Sequence, residues 1–455
     1  MFKKVELWVL GLICIIFIIV LMGYGSLLKH GLLGGNKFPH LYKVAVFIAE
    51  VPKNFKDILI TFRDPYHDLS IKENIHANKP RFKKFIKINR KELLLVARFD
   101  ADLGRSIVEI VDLNNFTVLH TFKPNIKEIN NQTDINREEF NLLNKNFNEK
   151  RYNIYHPLLD TEGNLLFHGM YTPLSKINFC SELIWVNDVD NFHHSNNKDE
   201  EGNYWIPSII FPHSIDKNLV GNRFGEFRDD AITKISSDGK ILYQKSVSKI
   251  LLDNNLDYLI FGQSNFFWDP IHLNDIQPTL NDGKYWKKND IFLSLRNLSM
   301  IIHFRPSTDK IINVLTGPFY MQHDIDIISE KEISIFNNNT VNTQKGNKYV
   351  ISNNQILIYN FDTKNYIKKN VSGIKENNVK TATEGVSDFL KDGSLMIEDG
   401  NSGRILFFNS NGKLEWEFIN KAKNGKVYPL SWARVIQNDQ LVKNILKKIE
   451  NNQCK

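Results

Sequence analysis

Three short stretches of the chain place histidines beside a turn and ahead of a strand-like run. The first contains His193 and His194, the second contains His272, and the third contains His323, while Arg296 follows the strand after the second stretch. Imidazole can attack an electrophilic sulfur or phosphorus atom, and it can move protons near neutral pH. A guanidinium fork matches the oxygens of sulfate or phosphate. These side chains together predict the transfer of an anionic group.

An isolated histidine is more often a surface or core residue, and His168, His213 and His303 are interpreted in that way. The other histidines differ because the same order of histidine, turn and strand recurs along the chain. A metal site built from them is the alternative chemistry, although their spacing matches no common metal-binding motif. The sequence contains no phosphate-binding loop, zinc-protease motif or serine-elbow motif, and no cofactor is expected.

The elements that must position these residues are short strands. From about Arg81, runs of β-branched and aromatic residues such as Glu92–Ala97, Ile291–Leu295 and Ile405–Phe408 alternate with turns. Glycines 163, 202, 239 and 283 each end a two-residue turn signal, and they are separated by 39, 37 and 44 positions. A period near 40 with several strands per unit predicts an all-β fold, a β-propeller of about six to eight blades. A parallel β-helix or a pair of β-sandwiches is the alternative.

The innermost strands of a propeller line a central channel. A residue that enters such a strand can therefore face the axis, and histidines from successive units would meet in one funnel.

An apolar run of eighteen uncharged residues, Leu7–Tyr24, follows Lys3 and Lys4. This length is about the minimum for a membrane-spanning helix. The positive-inside rule then places the N-terminus in the cytoplasm and the rest of the chain outside it, with the anchor in a bacterial inner membrane. A cleaved signal peptide is the alternative, because Gly23 and nearby small residues resemble a cleavage site. No second run of this length occurs, so we expect a single-pass anchor at residues 1–26.

The remaining regions are predicted as follows. Residues 27–80 form a tether, which ends at Gly34-Gly35, and an amphipathic stalk helix over Pro39–Thr61 that is broken or kinked at Pro52. The propeller occupies residues 81–435 and carries a polar, Asn-rich surface insertion at 124–152. A basic amphipathic tail at 436–455 packs as a terminal helix on the domain surface.

Composition sets outer limits on function. The chain has 455 residues with 42% hydrophobic and 24% charged residues, as in ordinary globular proteins. Its formal net charge of +7 comes from scattered basic residues, so nucleic-acid binding is not expected. Three cysteines, Cys14, Cys180 and Cys454, indicate neither a disulfide framework nor a metal site.

Two ordered stretches carry a family resemblance. Residues 272–304, with HLNDI and IFLSLRNLSMIIHF, and residues 317–339, with GPFYMQHDIDII and ISIFNNN, resemble the bacterial arylsulfotransferases that work without 3′-phosphoadenylylsulfate. Residues 193–208 and 388–418 look like the neighbouring blades, so the likeness covers about 150–435. It implies a six-bladed, often exported β-propeller. It also implies a ping-pong reaction that moves a sulfuryl group from an aryl sulfate donor to a hydroxyl acceptor through a sulfated histidine.

The resemblance also assigns roles to individual residues. His323 matches the histidine nucleophile. His272 and Arg296 match residues that bind the sulfuryl group and assist proton transfer. His193 or His194 matches a further active-site histidine, and we favour His194.

Three features depart from the family pattern. The Phe-Asp-Asn that follows the nucleophile reads Phe336-Asn337-Asn338 here, the N-terminal part resembles an anchor and stalk, and the cysteine positions exclude a disulfide between neighbouring cysteines. A non-catalytic, membrane-tethered propeller that binds a glycan or an envelope protein is therefore the alternative function. Transfer of another anionic group is a third hypothesis.

Overall fold

The structure is a computed structural model that describes residues 6–32, 37–63, 69–71, 75–451 and Cys454. The chain separates into two compact units, Met1–Leu69 and Ser70–Lys455. Lys3, Lys4 and the glycine pair at 34–35, on which sequence predictions depend, lie outside the described residues.

The first unit consists of two long helices, α1 (Leu7–Leu32) and α2 (Pro39–Arg63). Residues 7–31 of α1 are long and apolar enough to cross a membrane, and side chains such as Phe17 and Ile19 are exposed. Such a helix fits a single-pass anchor or a signal sequence. The predicted tether is wrong over residues 27–32, because α1 continues through them. The helix predicted over Pro39–Thr61 is confirmed as α2, which continues through Pro52 without a break.

The second unit is built from short antiparallel strands, and the predicted strand runs are confirmed with ends that differ by at most three residues. The strands are β1 (Phe82–Lys84), β2 (Leu93–Asp100), β3 (Arg105–Asp112), β4 (Val118–Phe122), β5 (Tyr155–Leu159), β6 (Leu165–His168), β7 (Thr172–Ile177), β8 (Leu183–Phe192), β9 (Asn197–Lys198), β10 (Tyr204–Ile209), β11 (Asp230–Ile235), β12 (Ile241–Ser246), β13 (Leu273–Pro278), β14 (Ile291–Leu295), β15 (Met300–Arg305), β16 (Lys310–Thr316), β17 (Ile325–Ser329), β18 (Glu332–Asn337), β19 (Thr340–Asn342), β20 (Lys348–Val350), β21 (Gln355–Asn360), β22 (Asn365–Lys369), β23 (Val386–Phe389), β24 (Leu395–Asp399), β25 (Arg404–Phe408), β26 (Leu414–Ile419) and β27 (Arg434–Ile436).

These strands form successive up-and-down sheets in a β-propeller arrangement. The sheet orders are β27-β2-β3-β4, β5-β6-β7-β8-β10-β11-β12 with β9 beside β10, β13-β14-β15-β16, β17-β18-β21-β22 and β23-β24-β25-β26-β1, with β19-β20 as a separate hairpin. Strand β8 pairs with β7 along its length, but it meets β10 only at Asn191 and Phe192.

Both ends of the propeller close the ring. Strand β27 pairs with β2, so the last strand completes the first sheet, and β1 pairs with β26 in the last sheet. Side-chain carboxylates also connect neighbouring sheets. Asp230, Asp275, Asp324 and Asp388 accept backbone N–H groups of residues in or next to the first strand of the following sheet. Each carboxylate satisfies a buried donor that the sheet ladder leaves unpaired.

The core lies between the sheets, and many strands are therefore buried on both faces. All five residues of β14 are buried, although it belongs to an antiparallel sheet. Its side chains divide between two clusters, with Leu293 packing toward Trp205 and Ile232 and Phe292 packing toward Ile333. A strand between two neighbouring sheets loses the polar face that a half-exposed strand would keep.

Short helices fill the connections. They are α3 (Ile126–Asn131), α4 (Leu143–Asn146), α5 (Lys217–Val220), α6 (Val247–Asp253), α7 (Tyr258–Phe261), α8 (Val371–Glu376) and α9 (Asp439–Glu450). The 124–152 insertion is more deeply packed than expected from its polarity, because Ile126, Ile129 and Phe140 are buried in it.

The C-terminal tail packs as predicted. Val442 and Ile445 of α9 are buried against the first two sheets. Cys180 and Cys454 form a disulfide bond across 274 positions of sequence, which the sequence reasoning missed. Disulfides of this kind are typical of proteins in oxidising compartments.

Candidate active site

The candidate histidines lie just before strands in three successive stretches of the chain. His194 precedes β9, His272 directly precedes β13, and His323 is two residues before β17. His194 and His272 have backbone φ angles of 59° and 55°. Non-glycine residues rarely adopt this conformation, and it is often found where a backbone holds a functional side chain.

The histidines converge on one point. The ring of His194 lies 5.0 Å from that of His272 and 6.4 Å from that of His323. Trp432 closes the group, with its ring 6.3 Å from His323 and 6.2 Å from His194. The recurrence of histidine, turn and strand in the sequence therefore corresponds to one shared location in space.

His323 is held by hydrogen bonds at both ring nitrogens. Asn338 donates from Nδ2 to the backbone carbonyls of Thr381 and Glu384, at 3.0 and 2.8 Å, which turns its Oδ1 toward His323. The Nδ1 of His323 lies 2.6 Å from that oxygen and must donate to it. Its Nε2 then carries the lone pair, which accepts the backbone N–H of Glu384 at 3.1 Å.

His193 lies behind His194 and connects it to a buried ion pair. Its Nδ1 is 2.8 Å from the Nδ1 of His194 and 3.2 Å from Nη2 of Arg228, and its Nε2 is 3.3 Å from Asp230. Arg228 also donates from Nε to Asp230 at 2.7 Å. His193 thus orients its neighbour, whereas His194 faces His272.

His272 is paired with a carboxyl group. Its Nδ1 lies 2.5 Å from Oδ2 of Asp269, and Arg228 Nη1 approaches the same nitrogen at 3.3 Å. Asn297 fixes the loop by donating to the backbone carbonyl of Asp269 at 2.7 Å. Burial raises the pKa of Asp269, so this carboxyl keeps its proton to higher pH than an ordinary one.

Arg296 lies beside His272, and its backbone N–H donates to the His272 carbonyl at 3.2 Å. Only 4% of the residue is exposed. Its Nη1 donates to Asn297, whereas Nε and Nη2 have no hydrogen-bond partner among the residues that the structure describes. The guanidinium and His272 line a cavity of about 700 Å³ that also includes Met321 and Lys348. A guanidinium that borders this cavity and has two buried N–H donors without partners suits an anionic group.

Burial and nearby positive charge keep the imidazoles neutral. Burial lowers the pKa of His194, His272 and His323 well below the usual value, and Arg296 or Arg228 lowers each further. A neutral imidazole that carries a lone pair on Nε2 is the nucleophilic form.

No group of three or more His, Cys, Asp or Glu side chains in the described part of the chain is placed to hold a metal ion.

Sequence comparison assigns the family. A family model described as arylsulfotransferase (ASST) matches residues 159–421, more than half of the chain. The chain belongs to the arylsulfotransferase family. No curated protein matches the chain.

The solved structures that resemble the chain include three distant ones. A protein of unknown function from Bacteroides caccae aligns with a TM-score of 0.48 and 12% identity, covering 76% of this chain and 99% of that one. A virginiamycin B lyase from Staphylococcus aureus aligns with a TM-score of 0.38 and 11% identity, covering 74% and 88%. The WD40 β-propeller domain of Doa1 gives 0.38 and 10%, covering 80% and 94%.

Several residues around the candidate site were missed by sequence reasoning. Arg228, Asp230 and Asp269 are buried and contact the candidate histidines. Arg228 and Asp230 lie outside the histidine stretches that guided the prediction, whereas Asp269 begins the stretch that contains His272 but was given no role. Glu384 and Trp432 occupy positions before β23 and β27 like those of the histidines, with φ angles of 65° and 67°. The recurring position just before a strand was the signal that could have identified Glu384 and Trp432, but the sequence prediction considered only histidines and an arginine.

The histidines set aside in the sequence hydrogen-bond outside the cluster, although His168 lies near it, because burial and the neighbouring His193 both lower the pKa of His168. His168 bonds to the carbonyl of Gly169, His213 to that of Arg223, and His303 to Asp290. His156, which the sequence analysis did not single out, approaches the cluster and lies 5.0 Å from the ring of Trp432.

Proposed function

We propose that the protein transfers a sulfuryl group from an aryl sulfate to a phenolic or other hydroxyl acceptor in two half-reactions, with His323 as the transient carrier. The observation that carries the proposal is the orientation of His323. Asn338 fixes its proton on Nδ1, which leaves the lone pair of Nε2 in the cluster beside His194 and His272. The non-catalytic alternative is not favoured by the family match.

In the first half-reaction, Nε2 of His323 attacks sulfur and the bond from sulfur to the aryl oxygen breaks. The free donors of Arg296 bind the sulfuryl oxygens and stabilise the charge that grows on them. When the lone pair of Nε2 forms a bond to sulfur, the backbone N–H of Glu384 is released toward the same oxygens.

The leaving phenolate needs a proton, and the pair formed by Asp269 and His272 can supply it. The carboxyl proton of Asp269 moves to Nδ1 of His272 while the proton on Nε2 of His272 moves to the phenolate. His272 is neutral before and after this step, as its lowered pKa requires. In the second half-reaction the acceptor hydroxyl attacks sulfur, the sulfur–nitrogen bond breaks, and the hydroxyl proton returns through His272 to Asp269.

The finer features of the fold belong to the same proposal. The sheet that contains β5–β12 divides at the end of β8, where β10 pairs with only two of its residues, so we count it as two blades and the propeller as six-bladed. The disulfide between Cys180 and Cys454 supports an extracytoplasmic location for the propeller. We therefore place α1 in a bacterial inner membrane with its N-terminus in the cytoplasm.

The test uses the full chain in detergent with 4-nitrophenyl sulfate as donor. Nitrophenol release should depend on an added phenol, and it should be lost in His323→Ala. His213→Ala is the matched control, because His213 bonds to the carbonyl of Arg223 and takes no part in the cluster. Wild-type rates in His323→Ala would contradict the assignment.

A further inference from the structure

Two consecutive residues separate two cavities beside the candidate site. Asp269 lines the cavity of about 700 Å³ that contains Arg296 and His272, whereas Trp268 lines a second cavity of about 340 Å³. The smaller cavity contains none of the residues given a role in the reaction above. It is called the aromatic pocket below.

The aromatic pocket is lined by rings from four parts of the chain. Its main lining residues are Leu142, Phe147, Tyr171, Phe224, Phe227 and Trp268. Leu142 and Phe147 belong to the 124–152 insertion, so this insertion forms one wall of the pocket. The carboxylates at its edge are already hydrogen-bonded, because Glu138 accepts the backbone N–H of Phe224 and Glu139 accepts from Arg137. The surface offered to a ligand is therefore largely apolar and aromatic.

The aromatic pocket is connected to the histidines through Arg228. Arg228 and Tyr171 line the pocket, and the Tyr171 hydroxyl lies 2.7 Å from Nη1 of Arg228. The same Nη1 is 3.3 Å from His272, and Nη2 is 3.2 Å from His193. A polar group that contacts Arg228 from the pocket would lie one side chain away from His272, the residue that exchanges protons in the proposed reaction.

Charge distinguishes the ligands of the two cavities. The N–H donors of Arg228 are bonded to Asp230, Tyr171, His193 and His272. This guanidinium therefore has no free pair of N–H groups to bind a sulfate ester. Arg296, in the larger cavity, has two nitrogens without partners among the described residues. An anion left without partners in an apolar pocket is strongly unfavourable. The aromatic pocket therefore suits a neutral ring, and the larger cavity suits the sulfated donor.

We propose that the aromatic pocket binds the ring of the neutral phenolic acceptor, with its hydroxyl toward His272, while the donor binds in the larger cavity. This inference rests on the proposed function and adds separate places for the two substrates. The volume of the aromatic pocket is roughly twice that of a cavity of about 150 Å³ known to hold benzene. We expect phenols with one or two rings to bind, with the insertion setting the upper limit of size.

The neighbours Trp268 and Phe267 provide a matched pair of variants. Both side chains are about half exposed, at 48% and 54%, so neither alanine variant removes a core residue. Phe267 lines the larger cavity.

In full-length enzyme with 4-nitrophenyl sulfate and phenol, Trp268→Ala should raise the KM of phenol about 3- to 10-fold, the size of one lost aromatic contact. The first-turnover release of nitrophenol should not change. Phe267→Ala should leave the KM of phenol unchanged, and an equal rise in both variants would overturn the proposal.

Inhibition gives a second test of separate sites. Phenyl methyl ether has the ring of phenol but no hydroxyl to accept the sulfuryl group. It should compete with phenol and leave unchanged the kcat/KM for the sulfated donor. A fall in the donor's kcat/KM would show that both rings use one cavity and would overturn the proposal.

Binding without turnover separates failure of this inference from failure of the proposed function. Saturation-transfer NMR detects phenol bound to the protein in the absence of any donor. The signal should weaken in Trp268→Ala and persist in Phe267→Ala, even if the wild type transfers no sulfuryl group. An unchanged signal in Trp268→Ala would refute the pocket whatever the activity.

Discussion

Replacing Arg296 with methionine should stabilise the fold and remove the transfer activity. The side chain is 4% exposed, and its Nε and Nη2 have no hydrogen-bond partner among the described residues. Burial lowers the pKa of this guanidinium, which shows that the surroundings disfavour its charged form. A methionine of similar length removes the buried charge and keeps the volume filled.

The magnitude follows from the hydrogen bonds that are missing. An unsatisfied buried polar group costs about 1–3 kcal/mol. Arg296→Met removes two such groups, but it also loses the hydrogen bond to Asn297, and residual hydration reduces the cost that is relieved. The net stabilisation is therefore about 1–3 kcal/mol. For a unit of this size that corresponds to a rise in Tm of about 1–4 °C. Two lost charge-assisted bonds to the sulfuryl group should lower kcat/KM by about 10²- to 10⁴-fold.

Arg305→Met is the control with the opposite expectation. Arg305 donates from Nε and Nη2 to Asp290, both at 2.7 Å, so its removal breaks satisfied bonds and should lower the Tm. Thermal unfolding of both variants and initial rates with 4-nitrophenyl sulfate provide the comparison. A Tm that falls as far in Arg296→Met as in Arg305→Met, or a kcat/KM within two-fold of wild type, would refute the reasoning.

Three further predictions concern the proton path, the nucleophile and the disulfide. Asp269→Asn removes the carboxyl whose raised pKa keeps a proton available, so transfer from unsubstituted phenyl sulfate should slow much more than transfer from 4-nitrophenyl sulfate. The wild-type rate with phenyl sulfate should also fall as pH rises and Asp269 ionises. Equal slowing of both donors in Asp269→Asn would argue against the proton transfer through Asp269 and His272. Asn338→Ala should lower the burst rate of nitrophenol release about 10- to 100-fold by freeing the His323 ring, and an unchanged burst would contradict the assigned tautomer. Cys454→Ser should expose the segment Asp439–Glu450 to proteolysis with little effect on transfer, as judged by mass spectrometry of the fragments, and equal protection from protease would show that the disulfide does not hold the helix.

The strands and the histidine cluster could be predicted because each depends on local pattern. Runs such as Ile291–Leu295 are short, apolar and bounded by turns, and the structure confirms them as strands. The histidines meet because each lies near the start of a first strand, a position that a propeller repeats around its axis. Asn338 also lies in the family-like stretch, and its partners show why an amide is useful there.

The turn spacing that pointed to a propeller mixed two kinds of turn. Three of the turns connect the first two strands of a blade: Gly163 lies between β5 and β6, Gly202 between β9 and β10, and Gly283 between β13 and β14. Gly239 instead connects β11 to β12, which are the last two strands of a blade. The near-regular separation of 37 to 44 positions is therefore partly a coincidence of loop lengths. Glycine suits both places because it adopts the positive φ that Gly163, Gly202 and Gly239 have, so residue type alone cannot tell the turns apart.

The remaining features depend on contacts between distant parts of the chain. Cys180 and Cys454 are 274 positions apart and have no local signal for pairing. Arg228 enters the site from the segment before β11, and only the assembled ring brings it within 3.3 Å of His272. The tether failed as a prediction because Leu27 and Leu28 continue the apolar helix, and the following polar residues do not interrupt it before Leu32.

The covalent intermediate offers the most direct test of the central claim. Full-length protein would be mixed with 4-nitrophenyl sulfate in the absence of any acceptor, quenched at alkaline pH, digested, and analysed by tandem mass spectrometry. We predict one sulfuryl group on the peptide that contains His323, which disappears when phenol is added before the quench. Nitrophenol release in acceptor-dependent turnover without any sulfuryl group on His323 would contradict the mechanism.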